Sequence, residues 1–346
     1  MTQRTVLILA ATVVGLVLLM LVTQNNNDES IFAGGKLLPD FKVDANQVTN
    51  VSIARSNESE NLGIRRNGGG WVVTERDDYP ADIGTIRQLI IALADATIVE
   101  EKTANPDNYD RLGVADPGAD GSGTKVVLTG EDFTYSVILG DAAQGNFRYA
   151  RVTDNPTSYL IDQNPDLPTA VGEWLTDSLV DLPAARMRRV SISHADGETI
   201  TIEKSEEAQT DFTVLGIPNG RELSYATAAN GIGGALTSLT LQDARAAIEA
   251  APSTSVLFET WDGLAVNADI ATEGDSAWVT LSAAPADSAE ESAAIDTEAE
   301  TPQQSPAEEA DEINSRVSGW QYQLAAHKKD LLVKRWDDIL EPAEAE

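Results

Sequence analysis

After residue 38 most apolar side chains recur every second position, a period that predicts strands. In VTNVSIARS it places Val48, Val51 and Ile53 on one strand; LGIRR alternates behind it, and GGGWVV carries Trp71 and Val73 out of a glycine turn, so the three make a meander. A second meander repeats the order. MRRVSISHADGETITIEK supplies Val190 and Ile192, then Ile200 and Ile202 beyond an Asp196-Gly197 turn, and DFTVLG adds Phe212 and Val214.

Each meander leads to a helical period. Ile83, Ile86, Leu89, Ile90 and Leu93 recur at helical spacing behind an Asp82 cap, and Ile232, Leu236 and Leu239 do so more weakly. The helix exits match, LADATIVEE against LTSLTLQDA. Further strands are expected at KVVL, FTYSVIL, RYARV and SYLI in the first copy, and at SVLFETW, LAVNADI and AWVTL in the second. Both copies end on a tryptophan segment, Trp174 to Leu179 before Pro183 and Trp336 to Leu340 before Pro342, each read as a short closing helix.

The pattern therefore predicts an α+β fold of two duplicated sheet-plus-helix modules, residues 38–185 and 186–342. The second is interrupted at about 285–313, where SAAPADSAEESAAIDTEAETPQQSPAEEADE has no basic residue and almost no apolar side chain larger than Ala. Too little surface is available there to offset the ordering entropy, so a disordered acidic insertion is expected. Order should resume at Val317, with Trp320, Tyr322 and Leu324 alternating as a strand that rejoins the second sheet.

Ahead of these modules, Val6 to Val22 is an uncharged apolar run, long enough as a helix to cross a bilayer at ~1.5 Å per residue. Arg4 precedes it, and Asn25, Asn26, Asn27, Asp28 and Glu29 follow it. The charge rule then leaves the N-terminus in the cytoplasm and exports the rest. Residues 1–24 are read as cytoplasmic tip and uncleaved transmembrane anchor, residues 25–37 as a polar tether, and the body as periplasmic, held at the inner membrane by one pass.

Charge narrows the partners. With 56 acidic against 24 basic side chains and a net charge of -32 in 346 residues, the chain repels nucleic acid. It has no cysteine, which removes disulfides, thiolate metal sites and a cysteine nucleophile. The two histidines, His194 and His327, lie in different elements without zinc spacing and read as surface residues. Gly231, Gly233 and Gly234 in NGIGGALTS lack the Lys-Ser/Thr of a phosphate loop and read as close helix packing. Asp116 and Asp120 in DPGADGSG read as a solvated loop, not a calcium loop. No catalytic, cofactor-binding or metal-binding residue is assigned, and no cofactor is expected.

In order along the chain, Trp71-Val72-Val73, Tyr79-Pro80-Ala81-Asp82 with its helix, Leu112-Gly113-Val114 before Asp116-Pro117, Leu139-Gly140-Asp141, Tyr149-Ala150-Arg151, Tyr159-Leu160-Ile161-Asp162 and Trp174 to Pro183 form a recurring set. With the N-terminal anchor, this set resembles a bacterial domain-of-unknown-function family encoded beside gliding-motility-type ABC transporter genes. The resemblance implies a membrane-anchored auxiliary component, non-catalytic, whose partner is an ABC-type permease or a second membrane-anchored subunit. Two other readings remain: a periplasmic binding module for an envelope glycan or polymer, which an exposed aromatic groove would favour, and a hydrolase with a carboxylate site, which a convergent buried carboxylate pair would favour.

Overall fold

The computed structural model describes residues 34–56, 61–118, 121–274, 276–286 and 304–342. The run Val6 to Val22 lies outside them. Among the described residues no helix is long and apolar enough to cross a membrane.

Among the described residues eighteen strands are present: β1 Asn50–Ala54, β2 Leu62–Asn67, β3 Gly70–Val73, β4 Tyr79–Pro80, β5 Ile98–Thr103, β6 Thr124–Thr129, β7 Thr134–Ala143, β8 Phe147–Val152, β9 Ser158–Ile161, β10 Ser178–Val180, β11 Met187–His194, β12 Thr199–Glu203, β13 Thr213–Leu215, β14 Leu239–Ala246, β15 Thr254–Thr260, β16 Leu264–Glu273, β17 Ser276–Pro285 and β18 Trp320–Leu324. The helices are α1 Phe41–Asp44, α2 Ile83–Asp95, α3 Asn230–Gly233, α4 Pro306–Val317, α5 Ala326–Leu332 and α6 Trp336–Ile339.

The strands form two nine-stranded sheets, ordered β4-β3-β2-β1-β6-β7-β8-β9-β5 and β10-β14-β18-β17-β16-β15-β11-β12-β13. From β3 in one and from β13 in the other, the chain visits eight places in the same sequence. The α+β expectation is nonetheless overturned: 41% of the described residues are strand and 21% helix, so the protein is mostly β. The second expected helix accounts for part of the difference. Glycines in NGIGG disfavour helix, α3 stops after four residues, and Leu239, expected on that helix, opens β14.

Of the two closing helices the second is present as α6, Trp336–Ile339, and the first is corrected. Val171–Trp174 is a 3-10 turn and Ser178–Val180 is strand β10, so no helix spans Trp174 to Leu179. The two copies do end alike in hydrogen bonding, but three residues out of the expected register. Asp82 N donates to Trp174 O at 2.8 Å, and Thr176 N to Pro80 O at 2.9 Å. In the second copy Ser224 N donates to Ile339 O at 3.0 Å, and Glu341 N to Glu222 O at 2.9 Å. The counterpart of Trp174 is thus Ile339, and Trp336 is left for another task.

Two compact units divide the chain: Met1–Asn61 with Arg87–Leu167, and Leu62–Ile86 with Pro168–Glu346. In the first, Val51 and Ile53 of β1 register with Leu128 and Val126 of β6, all buried, as period two requires. In the second, the pairing β11–β15–β16–β17 lines up Val190, Phe258, Val266 and Ala283 in one buried row and Ile192, Val256, Ala268 and Leu281 in the next.

Residues 306–313, expected inside the disordered insertion, are the first turns of α4; residues 287–303 lie outside the described residues. Ser305 Oγ accepts from Glu308 N at 3.3 Å while Glu308 Oε2 accepts from Ser305 N at 3.0 Å, a reciprocal cap with Pro306 at the first helical position. Ala310, Ile313 and Val317 then bury one face, and Asn314 bridges Ala283 N and O at 2.9 and 2.7 Å. Average composition hid a short amphipathic helix behind an acidic, alanine-rich run.

Candidate functional site

His194 follows Val190 and Ile192 on β11, so alternation turns it inward, into a row with Thr254 and Ile270. It is 7% exposed, which corrects the surface reading; His327 is exposed. The ring spans two partners, with Nε2 3.0 Å from Lys334 O and Nδ1 2.9 Å from Thr254 Oγ1. A carbonyl only accepts, so Nε2 carries the proton and donates to it; in the neutral ring Nδ1 accepts from the Thr254 hydroxyl. Both nitrogens are committed, and the imidazole holds the segment between α5 and α6 in place.

The β11–β12 turn grips the same segment from outside. Gly197, at φ +94°, allows the tight reversal. Arg335 Nη1 donates to Asp196 and to Glu198, both at 2.8 Å, and Trp336 N donates to Glu198 Oε1 at 2.7 Å. The amide of Glu198, then the Arg335 guanidinium, holds the Asp196 carboxyl below the usual carboxylate range.

This wiring places Trp336 beside the solvent-facing side of the hairpin. Arg189 and Ser191 of β11, Thr199 and Thr201 of β12, Leu215 and Trp336 line a groove of about 350 Å³. Arg189 is steadied by Glu203 at 2.7 Å, and Ser191 and Thr201 face each other across the strands. An indole beside hydroxyls and a guanidinium can stack on an apolar ring face while donating to its polar rim.

In the first unit several recurring motifs meet. Arg151, 4% exposed, donates from Nε to Val114 O at 3.1 Å and from Nη2 to Asp116 Oδ2 at 2.7 Å, with its guanidinium 4.6 Å from the Tyr109 ring centroid. Gly113 sits at φ +65°, and a Cβ there would fall 2.9 Å from the Asp141 amide nitrogen. Leu112-Gly113-Val114, Asp116, Asp141 and Arg151 therefore form one braced loop; Asp116 is exposed and ion-paired, and Asp120 lies outside the described residues.

The glycine stretch in the second unit also has a packing cause. A Cβ on Gly233 would fall 2.2 Å from the Phe212 ring. Among the described residues no group of three or more His, Cys, Asp or Glu side chains is arranged to hold a metal ion, and no buried polar side chain is a carboxylate.

These features define a protein of two antiparallel sheets whose buried polar side chains brace loops and whose second sheet carries cavities. The chain belongs to the family described as Domain of unknown function (DUF4340), whose pattern matches residues 71–255. No curated protein and no solved structure matches it.

Proposed function

We propose that this protein is a non-catalytic accessory subunit of an ABC-type transport or envelope system, held at the inner membrane through Val6 to Val22 with its body in the periplasm. It acts by assembling with a permease or a second membrane-anchored subunit. The observation that carries the reading is the uncharged apolar run joined by a polar tether to a body of this family. The resemblance to members encoded beside gliding-motility-type transporter genes supplies the partner.

In-cell crosslinking of the tagged full-length protein, then detergent purification and mass spectrometry, tests this. Recovery of an ABC-type permease or an anchored companion is expected. A form without residues 1–24, exported in soluble form, should lose function because co-localisation supplies the effective concentration for assembly. Full activity of that form would overturn the reading.

A second reading, a periplasmic module binding an envelope glycan or polymer, is favoured by the groove of Trp336, Arg189 and the hydroxyls of Ser191, Thr199 and Thr201. Recovery of cell-wall glycan without a permease would favour it.

A further inference from the structure

A second cavity, of about 320 Å³, lies within the second unit. Its polar lining consists of Ser253, Thr254, Thr272, Ser276, Lys329 and Arg335 together with the buried His194. Among the described residues no carboxylate lines it, although acidic residues outnumber basic ones 56 to 24 in this chain. The donor and acceptor inventory is lopsided. An ammonium and a guanidinium only donate, hydroxyls do either, and both His194 ring nitrogens are occupied.

Arg335 is held at the rim by Asp196 and Glu198, which fixes its position and shares its charge. Lys329 meets only its sequence neighbour Asp330 among the described residues, at 3.5 Å, and is the less compensated cation of the two. Ser253 Oγ donates to Ile270 O at 3.0 Å and accepts from the Thr272 hydroxyl at 3.1 Å, so both of those protons are spent within the lining and the Ser276 hydroxyl remains to donate. A cavity whose described lining is cationic and holds hydroxyls but no carboxylate is matched by a ligand rich in acceptors and carrying negative charge.

We propose that this cavity binds a small oxyanion, a phosphate or carboxylate group of a low-molecular-weight ligand, with Lys329 as its principal charge partner and Ser276 as hydroxyl donor. The site is independent of the assembly role, since it needs neither a membrane nor a partner protein.

Calorimetric titration of the full-length protein in detergent with inorganic phosphate tests it, with ionic strength held constant by sodium chloride. Succinate and the neutral sugar maltose serve as parallel probes. Saturable binding of phosphate or succinate is expected, weakened at least tenfold by Lys329→Gln and several-fold by Ser276→Ala, and which anion binds tells phosphate from carboxylate recognition. The urea midpoint of each variant, unchanged, separates lost binding from lost fold. Absence of saturable heat with both anions, equal affinity in Lys329→Gln, or binding of maltose alone would each overturn the proposal.

Discussion

Arg55 and His194 stand at equivalent places in the two sheets and do the same work. Each follows a buried isoleucine by two residues, in Val51-Ser52-Ile53-Ala54-Arg55 and in Val190-Ser191-Ile192-Ser193-His194. Each donates to a backbone carbonyl beyond its copy's last long strand pairing: Arg55 Nη2 to Leu167 O at 3.2 Å, His194 Nε2 to Lys334 O at 3.0 Å. His194→Ala strands the Lys334 carbonyl and the buried Thr254 hydroxyl, at about 1–3 kcal/mol for each group left unsatisfied. Urea denaturation should therefore show a loss of roughly 2–4 kcal/mol, while His194→Gln, which can still donate, should lose less. Equal stability of the alanine variant and the parent would refute this bracing role.

Asp82 caps α2, accepting from Gly84 N at 3.1 Å, Thr85 N at 2.9 Å and Thr85 Oγ1 at 2.6 Å. Partial burial raises its carboxyl pKa, but the Thr85 and Gly84 hydrogen bonds outweigh that and leave it below the ordinary 3.8. With a depressed folded value, the cap stabilises fully above the unfolded pKa and is lost as pH falls through the folded one. Asp82→Ala should cost about 1 kcal/mol at neutral pH. Asp82→Asn, which can cap without titrating, should flatten the stability curve below pH 3.8; an unchanged acid limb would argue that other carboxylates set it.

Strand positions were legible because one face of each sheet is buried, so period two is written into the chain, as in Val190, Ile192 and the row they join. The same alternation contained His194, since a side chain two residues after Ile192 must face inward whatever its polarity; residue type outweighed position in the surface reading. α4 carried a local signal too, Ser305 to Glu308 around Pro306, yet its apolar face is only Ala310, Ile313 and Val317, too thin to stand out among acids and alanines. The cavities were not legible, because Ser253, Thr272, Ser276 and Lys329 come from separate elements and only the sheet register brings them together. The match of Trp174 to Ile339 was likewise invisible, for a hydrogen-bonding equivalence leaves no trace when the side chain changes.

Tyr79 is 3% exposed, its ring centroid 4.8 Å from that of Trp320 in an edge arrangement, and its hydroxyl donates to Thr176 O at 3.1 Å. Burial pushes its pKa up from 10.0 to about 12, and burial raises Tyr322 beside it as well. A raised folded value means stability is whole below pH 10 and falls as pH climbs from 10 towards 12, where the unfolded chain releases a proton that the folded chain keeps. One such group contributes a slope of about 1.4 kcal/mol per pH unit. Tyr79→Phe should lose about 1 kcal/mol at pH 7 from the missing hydrogen bond and show a shallower alkaline limb. A limb as steep as the parent's would mean that Tyr79 ionises freely in the folded protein.

α4 gives the sharpest contrast between what composition and geometry each lead one to expect. If residues 305–317 were passive, substitutions there would be silent. Instead Ile313 is 3% exposed, and Arg186 donates from Nη1 and Nη2 to the two Glu309 oxygens at 2.8 Å each, as well as to Asp262. Both carboxylates hold the Arg186 guanidinium above its ordinary range, with Glu309 the larger influence. Ile313→Ala should cost about 2–4 kcal/mol through the cavity it leaves, and Ser305→Ala about 1 kcal/mol through the lost cap. Glu309→Gln should cost less than Ile313→Ala, since Arg186 keeps Asp262 and stays half-exposed. Denaturant midpoints give the order, and an Ile313→Ala variant within about 0.5 kcal/mol of the parent would return this segment to the unstructured reading.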